Sequence, residues 1–93
     1  MLTLDAVLRI TAHVLYTRVE QDAILLNTLT NKYYSLNEVG ARFWGLLTEG
    51  ETLRRAHQVL LKEFEIESPQ LEQDLLGLVQ QLHEDGLVET TEV

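Results

Sequence analysis

Asn37 divides this chain into two kinds of pattern, and that division constrains the fold more than any other feature. Before it, short runs of β-branched and aliphatic residues alternate with polar breaks. After it, apolar residues recur at helical spacing in three longer segments. Residues 14–19 (VLYTRV) and 23–28 (AILLNT) read as strands, separated by Glu20-Gln21-Asp22, a break of hairpin length. Leu29-Thr30-Asn31-Lys32 is a second break, and Tyr33 to Leu36 a third, short strand. Three consecutive strands with tight connections predict an antiparallel meander. On the third strand Tyr34 and Leu36 share one face, Tyr33 and Ser35 the other.

The helical part is punctuated just as clearly. Asn37 can accept an orphan backbone N–H at the start of a helix from about Glu38 to Leu47, and Glu38 complements its positive end. Val39, Phe43, Leu46 and Leu47 follow helical spacing and should face the core. Thr48-Glu49-Gly50-Glu51 makes a turn, and Thr52 caps a second helix whose apolar stripe is Leu53, Ala56, Leu60 and Phe64. Ser68-Pro69 opens a third, with Ser at the cap and Pro at the first helical position. It runs to about Asp85, where Gly86 stops it, and Leu87-Val88-Glu89 adds an extended segment. The expected architecture is α+β and winged-helix-like: a three-stranded antiparallel sheet followed by three helices, in a single domain over residues 1–93.

Charge and composition exclude several functions. The formal net charge is −8; all seven basic residues lie at or before Lys62, and nine carboxylates follow from Glu63 onward. A helix with no cation cannot track a phosphate backbone, so the winged-helix outline does not imply nucleic-acid binding. The chain has no Cys, which removes disulfides, thiolate metal sites and a Cys nucleophile. No apolar run approaches the roughly 20 residues of a membrane span, and the N-terminus has no basic region ahead of a cleavage site. A cytoplasmic protein is expected. His13, His57 and His83 fall on different elements without metal-ligand spacing, and Ser35 and Ser68 lack a nucleophile pattern. The five glycines are dispersed and form no phosphate loop. The sequence calls for no enzyme, no metal and no cofactor.

The third helix carries two apolar rows. At about 100° per residue Leu71, Leu75, Leu78 and Leu82 fall in one narrow stripe, read as the core face. Glu72, Leu76, Val79 and His83 form a shoulder beside it. Either the N-terminal segment Leu2 to Ile10 or the first strand covers that shoulder, or it is one wall of a groove opposite the Tyr33–Leu36 strand. In the second case an extended peptide can add a strand to the sheet edge.

Five motifs in register over about residues 14–89 resemble the PqqD-like family of peptide-recognition modules in ribosomal peptide modification. They are Tyr34-Ser35-Leu36-Asn37, Gly40-Ala41-Arg42-Phe43-Trp44, Glu49-Gly50, Asp74 ahead of Leu75-Leu76, and Gly86-Leu87. The resemblance implies that a precursor's leader peptide binds as an added strand between the third strand and the third helix. It places that leader beside Lys32, Tyr33, Tyr34 and Ser35, facing Leu75, Leu76, Val79 and His83. Glu72 and Asp74 are then positioned to favour cations in the leader or in a partner enzyme. A free-standing chain of this length is most similar to the leader-binding proteins of lasso-peptide biosynthesis, which deliver the leader to a separate cysteine-protease-like peptidase. The alternative within the family is the pyrroloquinoline-quinone chaperone, partner of a radical-SAM enzyme. Its hydrophobic-Tyr-Pro-Glu-Gly stretch is missing here. A different class altogether is an interaction subunit that binds a folded partner through the same shoulder.

Overall fold

The computed structural model describes residues 2–91. Its elements follow the order β1 (Leu8–Ile10), β2 (Val14–Val19), β3 (Asp22–Asn27), β4 (Lys32–Leu36), α1 (Glu38–Thr48), α2 (Leu53–Glu63), α3 (Ser68–Glu84) and β5 (Val88–Thr90). β2, β3 and β4 form the expected antiparallel meander, with Leu25 opposite Tyr16 on one side and Tyr34 on the other. β1, which the sequence pattern did not reveal, pairs antiparallel with β5 in a separate two-stranded sheet. The result is an α+β fold with a three-stranded antiparallel sheet ahead of three helices.

Local chemistry explains the boundaries. The two-residue β2–β3 connection holds Glu20 at φ 59, and the β3–β4 connection ends on Asn31 at φ 61. Asn tolerates that left-handed conformation better than most residues because its short side chain bonds locally. Asn37 caps α1, its Oδ1 accepting from the Gly40 amide at 2.9 Å, and Thr52 caps α2 by accepting from the Arg55 amide at 3.1 Å. α3 starts one residue earlier than the sequence suggests. Glu67 is its cap, without a side-chain hydrogen bond, and Ser68 is already helical. Gly86 at φ 74 ends that helix, and a side chain there would press a Cβ to 3.0 Å from the Asn27 amide nitrogen.

The core has two parts, one on each side of α1. Beneath the meander, Ala23, Leu25 and Leu36 pack with Ala41, Trp44, Leu82, Leu87 and Val88. Among the helices, Phe43, Leu46, Leu53, Ala56, Leu60, Leu71, Leu75 and Val79 pack with Leu4 and Ala6 of the N-terminal segment. Arg42 pairs with Glu63 through two bonds of 2.8 and 2.9 Å, tying α1 to the end of α2. Trp44, the largest side chain of this part, is buried under the sheet.

This packing corrects the expected azimuth of α3. Its buried residues are Leu71, Leu75, Val79 and Leu82. Val79, expected on the shoulder, is fully enclosed, while Leu78, expected in the core, is only half-buried. Helical periodicity fixes how two apolar rows lie relative to each other but not which flank a neighbour covers. Here the N-terminal segment covers the Val79 flank: Leu4 and Ala6 share its core, with Leu2, Leu8 and Leu76 packed against that core.

Candidate functional site

β4 is the edge of the meander. β3 takes its inner side, and among the described residues no strand pairs with its other side. That free edge lies across a depression of about 340 Å³ from the exposed flank of α3. Tyr34, Ser35 and Leu36 line it from β4; Asn37, Val39 and Gly40 from the start of α1; Ile66 from the α2–α3 link; and Leu71, Asp74, Leu75 and Leu78 from α3. An open strand edge carries unpaired backbone N–H and C=O groups, and an apolar wall beside it can take alternate side chains of a fourth strand. The arrangement suits an extended peptide.

The depression lies between the two elements named from the sequence, β4 and α3, but along the Leu71–Leu75–Leu78 flank of the helix and not the Leu76–Val79 flank. Tyr34, Ser35 and Leu75 do line the depression. Lys32 and Tyr33 lie on β4 itself, but Tyr33 projects from the opposite sheet face, 72% exposed and in register with Leu26 and Leu15. Glu72 and Leu76 border a different hollow, with Glu67, Pro69, Gln70 and Gln73. Val79 has no surface to offer. His83 is half-buried, its Nδ1 3.4 Å from the Val88 carbonyl oxygen at the end of α3. The lining residues that the predicted set lacked are Leu36 on β4, Asn37, Val39 and Gly40 at the start of α1, Ile66 in the α2–α3 link, and Leu71, Asp74 and Leu78 on α3. Leu78 was hidden because it belongs to the strongest apolar stripe of the helix.

Polar groups shape the two ends differently. At one end Asn27 is buried at 3% exposure. Its Oδ1 accepts from the amides of Leu29 and Thr30 at 2.9 and 3.3 Å, and its Nδ2 donates to the Asp85 carbonyl at 2.9 Å. The hairpin that carries β4 is thereby pinned to the end of α3. Near this pin the Tyr34 phenol is pushed above the ordinary tyrosine range, first by burial and second by the Asp85 carboxylate. At the other end the Gly40 backbone comes close to Leu36, where an added Cβ would lie 3.2 Å from its Cδ2. Among the described residues no cluster of three or more His, Cys, Asp or Glu is placed to hold a metal ion, and no helix is long and apolar enough to cross a membrane.

Comparison with known proteins supports the same reading. Residues 22–88 match the family of coenzyme PQQ synthesis protein D (PqqD), a span running from β3 to β5. The chain belongs to the PqqD family. Two solved structures resemble it closely. TbiB1, in complex with the TbiA(beta) leader peptide, is 28% identical, with a TM-score of 0.82 over 87% of this chain and 94% of its own. Lasso peptide synthetase B1, complexed with the leader peptide, is 26% identical, with a TM-score of 0.79 over 88% of this chain and 96% of its own. No curated protein matches the sequence. This PqqD-family chain is therefore similar, over nearly its whole length, to two proteins solved with leader peptides bound.

Proposed function

We propose that this chain is a non-catalytic leader-binding protein of lasso-peptide biosynthesis, working in the cytoplasm as one recognition module over residues 1–93. It takes the leader of a precursor peptide as a fourth strand on the free edge of β4, against α3. The observation that carries this reading is the unpaired β4 edge facing a mostly apolar wall of Leu71, Leu75 and Leu78. Backbone pairing sets the register of the leader. Burial of a few apolar side chains against that wall supplies most of the affinity, at roughly 25 cal/mol per Å² before ordering costs.

The bound leader is then presented to a separate cysteine-protease-like peptidase. Holding about ten residues of a precursor raises the effective concentration of the cleavage site at that enzyme. The protein contributes positioning, and bond cleavage belongs to the partner. Of the residues expected to touch the leader, Lys32, Tyr33, Tyr34, Ser35 and Leu75 suit this role on β4 and the groove wall. Leu78 and Asp74 join them, and Val79 supports the wall from behind.

Fluorescence-anisotropy titration of a labelled TbiA(beta) leader and a scrambled copy tests the reading, with hydrogen exchange of β4 read in parallel. The expected result is sequence-dependent binding with slowed exchange along residues 32–36. Binding that leaves those amides unprotected sinks strand addition. An absence of binding to any lasso leader favours the interaction-subunit reading.

A further inference from the structure

α3 and its C-terminal cap carry one small device twice. Gln70 Nε2 donates to Asp74 Oδ1 at 2.8 Å, and Gln81 Nε2 donates to Asp85 Oδ2 at 3.3 Å. Each is an i, i+4 pair in which the amide holds one carboxylate oxygen and leaves the rest of the group for another partner. Eleven residues separate the two units, about three helical turns, so both carboxylates sit on the same flank of the helix, roughly 16 Å apart along its axis. Asp74 is the only charged residue among the described residues that line the depression. Asp85 stands at its pinned end, beside Tyr34.

Neither carboxylate is neutralised from within. The ion pairs among the described residues use Glu89, Glu63, Asp5 and Glu51, and none involves Asp74 or Asp85. Lys32, in register with Asn27 and so near the pinned end, makes no ion pair with Asp85. From Glu63 onward the chain has no Lys or Arg, so none on α3 can do so either. Two uncompensated negative charges thus flank an apolar strip of Leu75 and Leu78.

We infer that the groove selects an extended peptide carrying two basic residues four or six positions apart, one for Asp74 and one for Asp85. The inference rests on the strand-addition reading above and specifies the class of peptide it takes. An extended chain advances about 3.3 Å per residue, so about five residues span the distance between the carboxylates. Spacings of four or six keep both side chains on one side of the strand, and the reach of Lys or Arg absorbs the difference. The charges also raise the rate of encounter with cationic peptides and fix which of two registers, one residue apart, is populated.

The test is a selection from a displayed library of random 12-residue peptides against the full chain, its Asp74→Asn and Asp85→Asn variants and the double variant. Wild-type pools are expected to be enriched in pairs of Lys or Arg at the stated spacing, and the double variant to lose that enrichment while still selecting apolar residues. For one selected peptide, each single substitution should weaken binding about fivefold at low salt and much less at high salt. Pools enriched in peptides without paired cations, or a pairing preference that survives the double variant, overturn the inference and leave strand addition standing. Pools with no enriched sequence at all overturn both.

Discussion

The Asn27 side-chain amide donates to the Asp85 backbone oxygen across 2.9 Å, and this single bond joins the two walls of the groove at one end. β4 follows Asn27 by a four-residue connection, and Asp85 closes α3. The same side chain also accepts from Leu29 and Thr30, so it organises the connection that delivers β4 to its place. Asn27→Ala leaves two amides and one carbonyl without these partners. A loss of about 2 kcal/mol is expected, seen as a fall in Tm of about 8–16 °C for a domain of this size. An unchanged Tm would mean that water replaces the pin at no cost.

Leu78 and Val79 are neighbours in sequence with opposite duties. Val79 has no exposed surface and packs among three helices and the N-terminal segment. Val79→Ala should cost about 2 kcal/mol of stability through the cavity it opens, with leader affinity nearly unchanged well below the Tm. Leu78 lines the groove and is only half-buried. Leu78→Ala should lower leader affinity about fivefold, the worth of roughly one kcal/mol of lost apolar burial, with a smaller effect on stability. Parallel thermal melts and peptide titrations of the two variants check the division. If Val79→Ala weakens binding and Leu78→Ala does not, the α3 flank assigned here is wrong.

The contrast between these two residues shows how far the sequence could be read. The caps at Asn37 and Thr52, the stop at Gly86 and the strand runs before Asn37 each depend on near neighbours. Sequence reading located them within a residue or two. The sequence also named the two elements that line the depression, because an edge strand followed by an amphipathic helix leaves few alternatives. The azimuth of α3 depends on what lies over it, and its cover is a segment more than sixty residues earlier in the chain. β1 was missed for the same reason. Three residues, Leu8–Ile10, become a strand only because β5 lies beside them. Leu78 looked like core since its stripe is the most regular one; a groove built from core-like residues has no separate signature in one sequence.

Arg42 and Glu63 make a two-bond pair on the surface between α1 and α2. The hydrogen bonds from Arg42 hold the Glu63 carboxyl below the usual carboxylate range, with desolvation opposing and charge attraction adding to the effect. A depressed folded-state pKa contributes stability that is present above the unfolded value and is lost as pH falls through the folded one. Both side chains are more than a third exposed, so solvent screening limits the pair to about 0.5 kcal/mol. Glu63→Gln is expected to lower stability by that amount near neutral pH and to match the wild type in acid, once Glu63 itself is protonated. Urea midpoints across that range measure it; a difference that persists at the acid end would point to packing instead of charge.

Tyr34 gives an optical probe of the groove in the same protein. Its phenol titrates above the ordinary tyrosine range because burial disfavours the phenolate and the Asp85 carboxylate repels it. The unfolded chain therefore releases this proton first, and the stability Tyr34 contributes should fall as pH rises from the usual tyrosine value towards the elevated one. Asp85→Asn removes the smaller cause and leaves burial in place, so the Tyr34 titration should move down without reaching that of a free tyrosine. Ultraviolet titration of a variant with Tyr16 and Tyr33 replaced by Phe isolates the signal. A leader strand laid over Tyr34 buries it further and should push the midpoint up again, unless the peptide brings a cation to Asp85. In that case the rise is smaller for a cationic leader than for a neutral one of equal length. An identical midpoint with and without leader would place the peptide away from Tyr34 and from the β4 edge.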